Sequence, residues 1–159
     1  MISSSGSPPG NARFLSVWWL GNCVAAGWFA CGCGVWGRSA PPPFPTGDDI
    51  LFIAFLVSAE VSCFIELNWP VPKWWLDLFA EFRCYSNGNP AIEKHGLLDA
   101  LRHFGTKSSG NFNKAEMRQL AARGGPYTPQ ERAALLDYCL SDVDDLVLLL
   151  PLLGDCLGH

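Results

Sequence analysis

Three features of the chain predict an α/β domain with a central sheet. The run Ile50-Leu-Phe-Ile-Ala-Phe-Leu-Val57 is apolar at every position, the pattern of a strand covered on both faces. A segment of helical period follows it through Leu67, and a second short apolar run, Trp74–Leu78, comes after a turn at Pro70 and Pro72. That is a strand–helix unit followed by a further strand or turn. Beyond Ala80 the apolar spacing is helical and the loops are rich in Gly, Asn and Pro. Strands, then strand–helix, then mostly helices give an α/β or α+β architecture.

Residues 1–12 are small, polar and rich in Pro and Gly, and are expected to be a disordered start. The remainder, 13–159, is expected to be one domain, because 159 residues make one ordinary domain at most. Phe14–Trp36 carries no charge and is flanked by Arg13 and Arg38. It is long enough to span a bilayer, and the Trp residues near its ends suit interfacial positions. A secretory signal is a further reading, without the strongly basic start or small-residue cleavage pattern. Against both, Gly21, Asn22, Gly27, Gly32 and Gly34 cut the segment into short pieces. Such punctuation suits strands joined by tight turns, with Phe14–Leu20 and Cys23–Cys31 as the candidates. The expectation is a cytoplasmic protein without a membrane partner.

Ala40–Gly47 reads as a stiff Pro-rich loop ending at Asp48-Asp49. Ser58 is the expected N-cap of the helix running to Leu67. Trp74–Leu78 is a strand or turn ending at Asp77, and Ala80–Arg83 continues as helix. Tyr85–Pro90 is a loop. His95–Phe104 is a short amphipathic helix with Leu97, Leu98, Leu101 and Phe104 inward, stopped by Gly105. A polar loop, Lys107–Asn113, leads to a helix over Lys114–Ala122, closed by Gly124-Gly-Pro126. Thr128 caps the last helix, with Pro129 at its first position and Glu131 three residues on. Pro151 is expected to bend or break that helix.

The last helix holds the most informative chemistry. Tyr138 and Asp142 stand one turn apart on one face, while Leu135, Cys139, Val143, Leu146 and Leu150 follow the helical period and are expected to face a core. A phenol and a carboxylate so spaced can hold a water and a metal ion together. The plain alternative is a packed Tyr beside a solvated acidic turn.

Net charge is −4 and the pI is near 5.2, with 16% charged residues. Such a chain has no long-range electrostatic help in binding nucleic acid, unless metal ions held by carboxylates supply the positive charge. Seven Cys in an odd-numbered, unpatterned set argue against a disulfide framework and for buried free thiols. Cys23, Cys31 and Cys33 lack a fourth ligand for zinc, and His95, His103 and His159 form no ligand spacing.

Five stretches occur in a suggestive order: Ser58-Ala-Glu60, Leu76–Arg83 with Asp77, His95-Gly-Leu-Leu-Asp-Ala-Leu101, Gly124-Gly-Pro-Tyr127 and Tyr138-Cys-Leu-Ser-Asp142-Val-Asp144. This set resembles the 3′–5′ exonuclease (proofreading) domain of family A DNA polymerases, in a form similar to phage polymerases. The resemblance spans about Gly47 to Leu153 and no single motif decides it. It implies a ribonuclease H-like fold, a mixed sheet flanked by helices. It also implies two Mg²⁺ or Mn²⁺ ions that cleave the terminal phosphodiester at the 3′ end of single-stranded DNA. In such a site one ion lowers the pKa of the attacking water, and both stabilise the attacking and leaving oxygens from ~3.5–4 Å apart. Carboxylates hold them, since hard ions prefer oxygen.

Carried over by residue, Tyr138 would orient the attacking water and Asp142 would bind metal, the alternative for Tyr138 being a core-edge aromatic. Glu60 stands where the second motif has an Asp, as a longer metal-binding carboxylate or as a first-turn acid favoured by the helix dipole. Asp77 would be a supporting acid at the metal site, or an N-cap. Asp144 would be supporting or solvent-facing, and Arg83 would pair with Glu81 or meet a phosphate. The Asp-x-Glu strand that opens the family pattern is missing, since nothing before Asp48 is acidic. The resemblance therefore implies an exonuclease-like domain or fragment, incomplete at its N-terminus and impaired in catalysis, with the polymerase domain a partner absent from this chain. Two readings compete: a noncatalytic nucleic-acid or protein-binding module on the same fold, and a small protein anchored by residues 14–36.

Overall fold

The computed structural model describes residues 13–16, 41–42, 44–110, 113–123 and 125–157. The chain is a mixed α/β fold with the elements β1 (Arg13–Ser16), β2 (Ile50–Ala54), α1 (Val57–Glu66), β3 (Trp74–Asp77), α2 (Leu78–Ser86), α3 (Leu97–His103), α4 (Lys114–Arg123) and α5 (Pro129–Leu157). The strands form one sheet in the order β1-β2-β3, and both pairings are parallel. Leu51 stands opposite Trp74 and Ala54 opposite Asp77.

The doubly apolar β2 is explained by layers on both of its faces. Ile50 and Phe52 point to the α1 side, where Cys63, Phe64, Leu67 and Trp69 cover them. Phe44, Phe52, Phe64, Trp69 and Trp75 pack there with ring centroids 5.2 to 6.1 Å apart, mostly edge to face, as the aromatic quadrupole favours. Ile53 and its neighbour Leu51 face the other way, onto Leu78, Phe82, Leu97, Leu101 and the α5 residues Leu146, Leu149 and Leu153. Burying each such side chain is worth ~1.5–3 kcal/mol, so the two layers tie α1 and α5 to opposite sides of one strand.

Helix ends show where local signals held and where they did not. Thr128 and Glu131 form the capping box expected of them: the Thr128 backbone N–H donates to Glu131 Oε2 at 2.8 Å and the Glu131 N–H to Thr128 Oγ1 at 3.2 Å. Gly105 sits at φ +71 just past α3, a conformation that suits glycine. Ser58 does not cap α1. The helix begins one residue earlier, and its N-cap position is Leu56, at φ 94 and ψ 73. A left-handed leucine is strained, and the Asp77 carboxylate holds it by accepting from the Leu56 and Val57 N–H groups at 3.3 and 2.9 Å.

The helix α5 runs unbroken through Pro151, contrary to the expected break. The Val147 carbonyl, four residues back, loses its helical donor, and Val147 lies on the exposed face where water can serve it. The buried face of α5 is also turned from the expected one: Leu135, Cys139 and Leu146 are buried, but Tyr138, Asp142, Asp145, Leu149 and Leu153 complete the stripe. Val143 and Leu150 sit at its margin.

Of the proposed N-terminal strands, β1 covers the start of Phe14–Leu20. Residues 17–20, Cys23–Cys31 and the start 1–12 lie outside the described residues, as does most of the 14–36 segment. Among the described residues no helix is long and apolar enough to cross a membrane. Among the described residues Cys63, Cys84, Cys139 and Cys156 form no disulfide, the first and third being buried and the other two exposed.

Candidate functional site

A cleft of about 750 Å³ opens just past the last residues of β2 and β3, where Phe55, Leu56 and Phe79 line it. Open parallel sheets commonly bind ligands beyond the carboxyl ends of their strands. The sequence folds this way because β2 ends at Ala54, α1 starts at Val57, and α2 starts directly after Asp77. Asp77 joins these turns. Its Oδ1 accepts from Phe79 N at 3.0 Å and Ala80 N at 3.2 Å as the cap of α2, and the same carboxylate accepts from the start of α1. Asp77 thus takes the N-cap alternative, and both its oxygens are engaged by backbone donors.

The cleft walls carry four cations. Arg83 comes from α2, Arg102 from α3, and Lys114 and Arg118 from successive turns of α4. Arg102 is paired with Asp99 at 2.7 Å. Arg83 lies over the Phe79 ring, 5.9 Å from its centroid, and makes no ion pair with Glu81 among the described residues. Residues two apart on a helix do not face one another, so the alternative of an Arg83–Glu81 pair is not realised. Glu60 lies on the cleft wall in the first turn of α1, 1% exposed and in line with Cys63, Phe64 and Leu67. Its charge and burial together push the Cys63 thiol up to about 12, burial being the larger cause. That thiol is therefore inert at neutral pH.

Behind the cleft lies Asp142, fully buried. Its Oδ1 accepts from Lys114 Nζ at 2.6 Å, and its Oδ2 has no hydrogen-bond partner among the described residues. Burial raises its pKa, and the Lys114 ammonium works against that rise. Lys114 also stands over the Tyr138 ring, 5.8 Å from its centroid. The Tyr138 phenol is pushed well above its ordinary range, by burial first and by Asp142 second, with Arg118 opposing. It stays protonated at any physiological pH and can orient an oxygen but not act as a base.

The structure therefore unites Tyr138 and Asp142 with Lys114 and Arg118, which also line the Glu60 cleft. The acidic turn is not solvated: Asp142 and Asp145 are both buried, and Asp144 is the exposed one. Asp145 accepts from Ser108 Oγ at 2.6 Å, Ser109 N at 2.8 Å and Ser109 Oγ at 3.1 Å, pinning the 106–110 loop to α5. Lys114, Arg118 and Asp145 were not singled out from the sequence. The available signals were the i, i+4 spacing of the two cations and the position of Asp145 seven residues after Tyr138, on the same helical face.

A two-ion hydrolytic site needs several oxygen ligands converging within ~2.0–2.6 Å of each ion. Among the described residues no group of three or more His, Cys, Asp or Glu side chains is arranged to hold a metal ion. Asp142 meets an ammonium and Asp77 meets backbone N–H groups, which leaves Glu60 as the cleft's buried carboxylate. No protein-family model, curated protein or solved structure matches the chain.

Proposed function

We propose that this chain is a noncatalytic binding module for a phosphate-bearing single-stranded nucleic-acid end, on a scaffold related to the ribonuclease H-like exonucleases. One observation carries the reading: Lys114 couples the cleft to the buried Asp142 and neutralises it with its ammonium. Where the family holds its metal, this chain would present fixed positive charge from its own side chains. Arg83, over the Phe79 ring, and Arg118, beside the Tyr138 phenol, line the same cleft and make no ion pair among the described residues, so their remaining N–H donors can meet phosphate oxygens. In this reading the partner is a DNA 3′ end, with a polymerase domain elsewhere as a companion.

A metal-dependent exonuclease is the second reading, favoured by the Asp142 Oδ2 that lacks a hydrogen-bond partner among the described residues and lies beside Tyr138. A single experiment separates them. A 5′-labelled single-stranded oligonucleotide is incubated with the chain in EDTA and then in Mn²⁺. The module binds equally in both and leaves the oligonucleotide intact, and Arg118→Ala weakens the binding. Stepwise 3′ shortening in Mn²⁺, abolished by Asp142→Ala, overturns the noncatalytic reading in favour of the nuclease.

A further inference from the structure

A second, smaller cleft of about 370 Å³ adjoins the first, and Arg83 and His95 line both. Its volume is at the lower end of small-molecule sites. Its other polar lining is Ser86, Asn87 and Asn89, on the turn that ends α2. Chemistry divides the two spaces. The larger is lined by four cations against the two carboxylates of Glu60 and Asp99, while Arg83 is the one full charge of the smaller, which otherwise offers neutral amides, a hydroxyl and an imidazole. Cations suit phosphate; neutral donor–acceptor pairs suit a base edge.

The turn is built to hold those amides outward. Gly88 stands at φ +77 with no atom within 4 Å of the position a Cβ would take, so the space above it is open. Asn89 Oδ1 accepts from Ala91 N at 3.0 Å, which fixes its amide and leaves Nδ2 as a donor. Asn87 is exposed, and its side-chain amide makes no hydrogen bond among the described residues, so both its donor and its acceptor are presented. A carboxamide matches the paired acceptor and donor of adenine N7 and N6 in a two-bond contact.

We infer that the smaller cleft seats the base next to the phosphate held in the larger one, with Asn87 reading adenine. The inference rests on the phosphate-binding reading of the larger cleft, with Arg83 as the hinge between the two. The test is fluorescence anisotropy with labelled oligo-dA and oligo-dT of equal length, in EDTA, on the full chain. Wild type binds dA at least about fivefold tighter than dT, the low end for one good two-bond base contact. Asn87→Ala brings dA down to the dT affinity and leaves dT unchanged; Arg118→Ala weakens both alike. Asn87→Ser repeats the measurement should the Ala variant lose its far-ultraviolet helical signal. Equal wild-type affinities, or a dA/dT ratio unmoved by Asn87 substitution, overturn this inference while leaving phosphate binding intact. Failure of both oligonucleotides to bind overturns the two readings together.

Discussion

Replacing Asp77 with alanine separates a latch from a metal ligand. The carboxylate accepts four backbone N–H groups: Phe79 and Ala80 at the start of α2, and Leu56 and Val57 at the start of α1. Losing an N-cap carboxylate costs about 1 kcal/mol. The Val57 bond, at 2.9 Å to an ionised acceptor, is worth about 1.5 kcal/mol. The Leu56 bond is long and exposed, and water replaces much of it. The sum is about 2–3 kcal/mol, and the left-handed Leu56 is then held by less. Urea unfolding followed by far-ultraviolet circular dichroism reads this directly. With a slope of about 1.5 kcal/mol per M, the midpoint falls by about 1–2 M. Asp77→Asn keeps Oδ1 and its acceptor role toward Leu56, Phe79 and Ala80, so it loses about half as much. A stability within ~0.5 kcal/mol of wild type refutes the latch. So does a Mn²⁺-dependent rise in wild-type stability that Asp77→Ala removes, because that is the behaviour of a ligand.

Lys114→Ala leaves the carboxyl of Asp142 buried without its cation, and the loss is about 3 kcal/mol at pH 7 in the same unfolding assay. Asp142→Asn stays within about 1 kcal/mol of wild type, because an amide needs no cation and the ammonium can turn toward the cleft. Glu131 is held down to about 2 by its paired bonds from Arg123 and by the Thr128 N–H, against an ordinary value of 4.5. Its folded pKa is depressed, so its contribution is complete above pH 4.5 and disappears as pH falls through 2. Thermal unfolding of wild type and Glu131→Gln therefore differs at pH 6 and converges toward pH 2.

The elements visible in the sequence were those fixed by neighbours in the chain. Ile50–Ala54 announces itself by an uninterrupted apolar run, and Thr128-Pro-Gln-Glu131 contains both halves of its capping box within four residues. The cap of α1 was invisible because its acceptor, Asp77, lies 20 residues downstream of Val57. The same applies to Asp142, whose cation is 28 residues away, and to Asp145, whose serines are 36 and 37 away. Periodicity marked α5 as amphipathic, but it could not set the angle of the buried face. Two acids there are made tolerable by partners on other elements, and apolar spacing alone assigns such acids to solvent. The cleft assembles residues from α1, α2, α3 and α4, and only the tertiary fold brings those together.

The salt dependence of oligonucleotide binding in EDTA tests the cleft most directly. Phosphate contacts from Arg83 and Arg118, the cleft cations without an ion pair among the described residues, release about two counterions, so log K falls with log salt at a slope of about −1.4 for a single strand. Arg118→Ala brings the slope to about −0.7 and weakens binding to every sequence alike. A flat salt response, or binding that vanishes when divalent ions are chelated, contradicts a cleft whose positive charge comes from its own side chains.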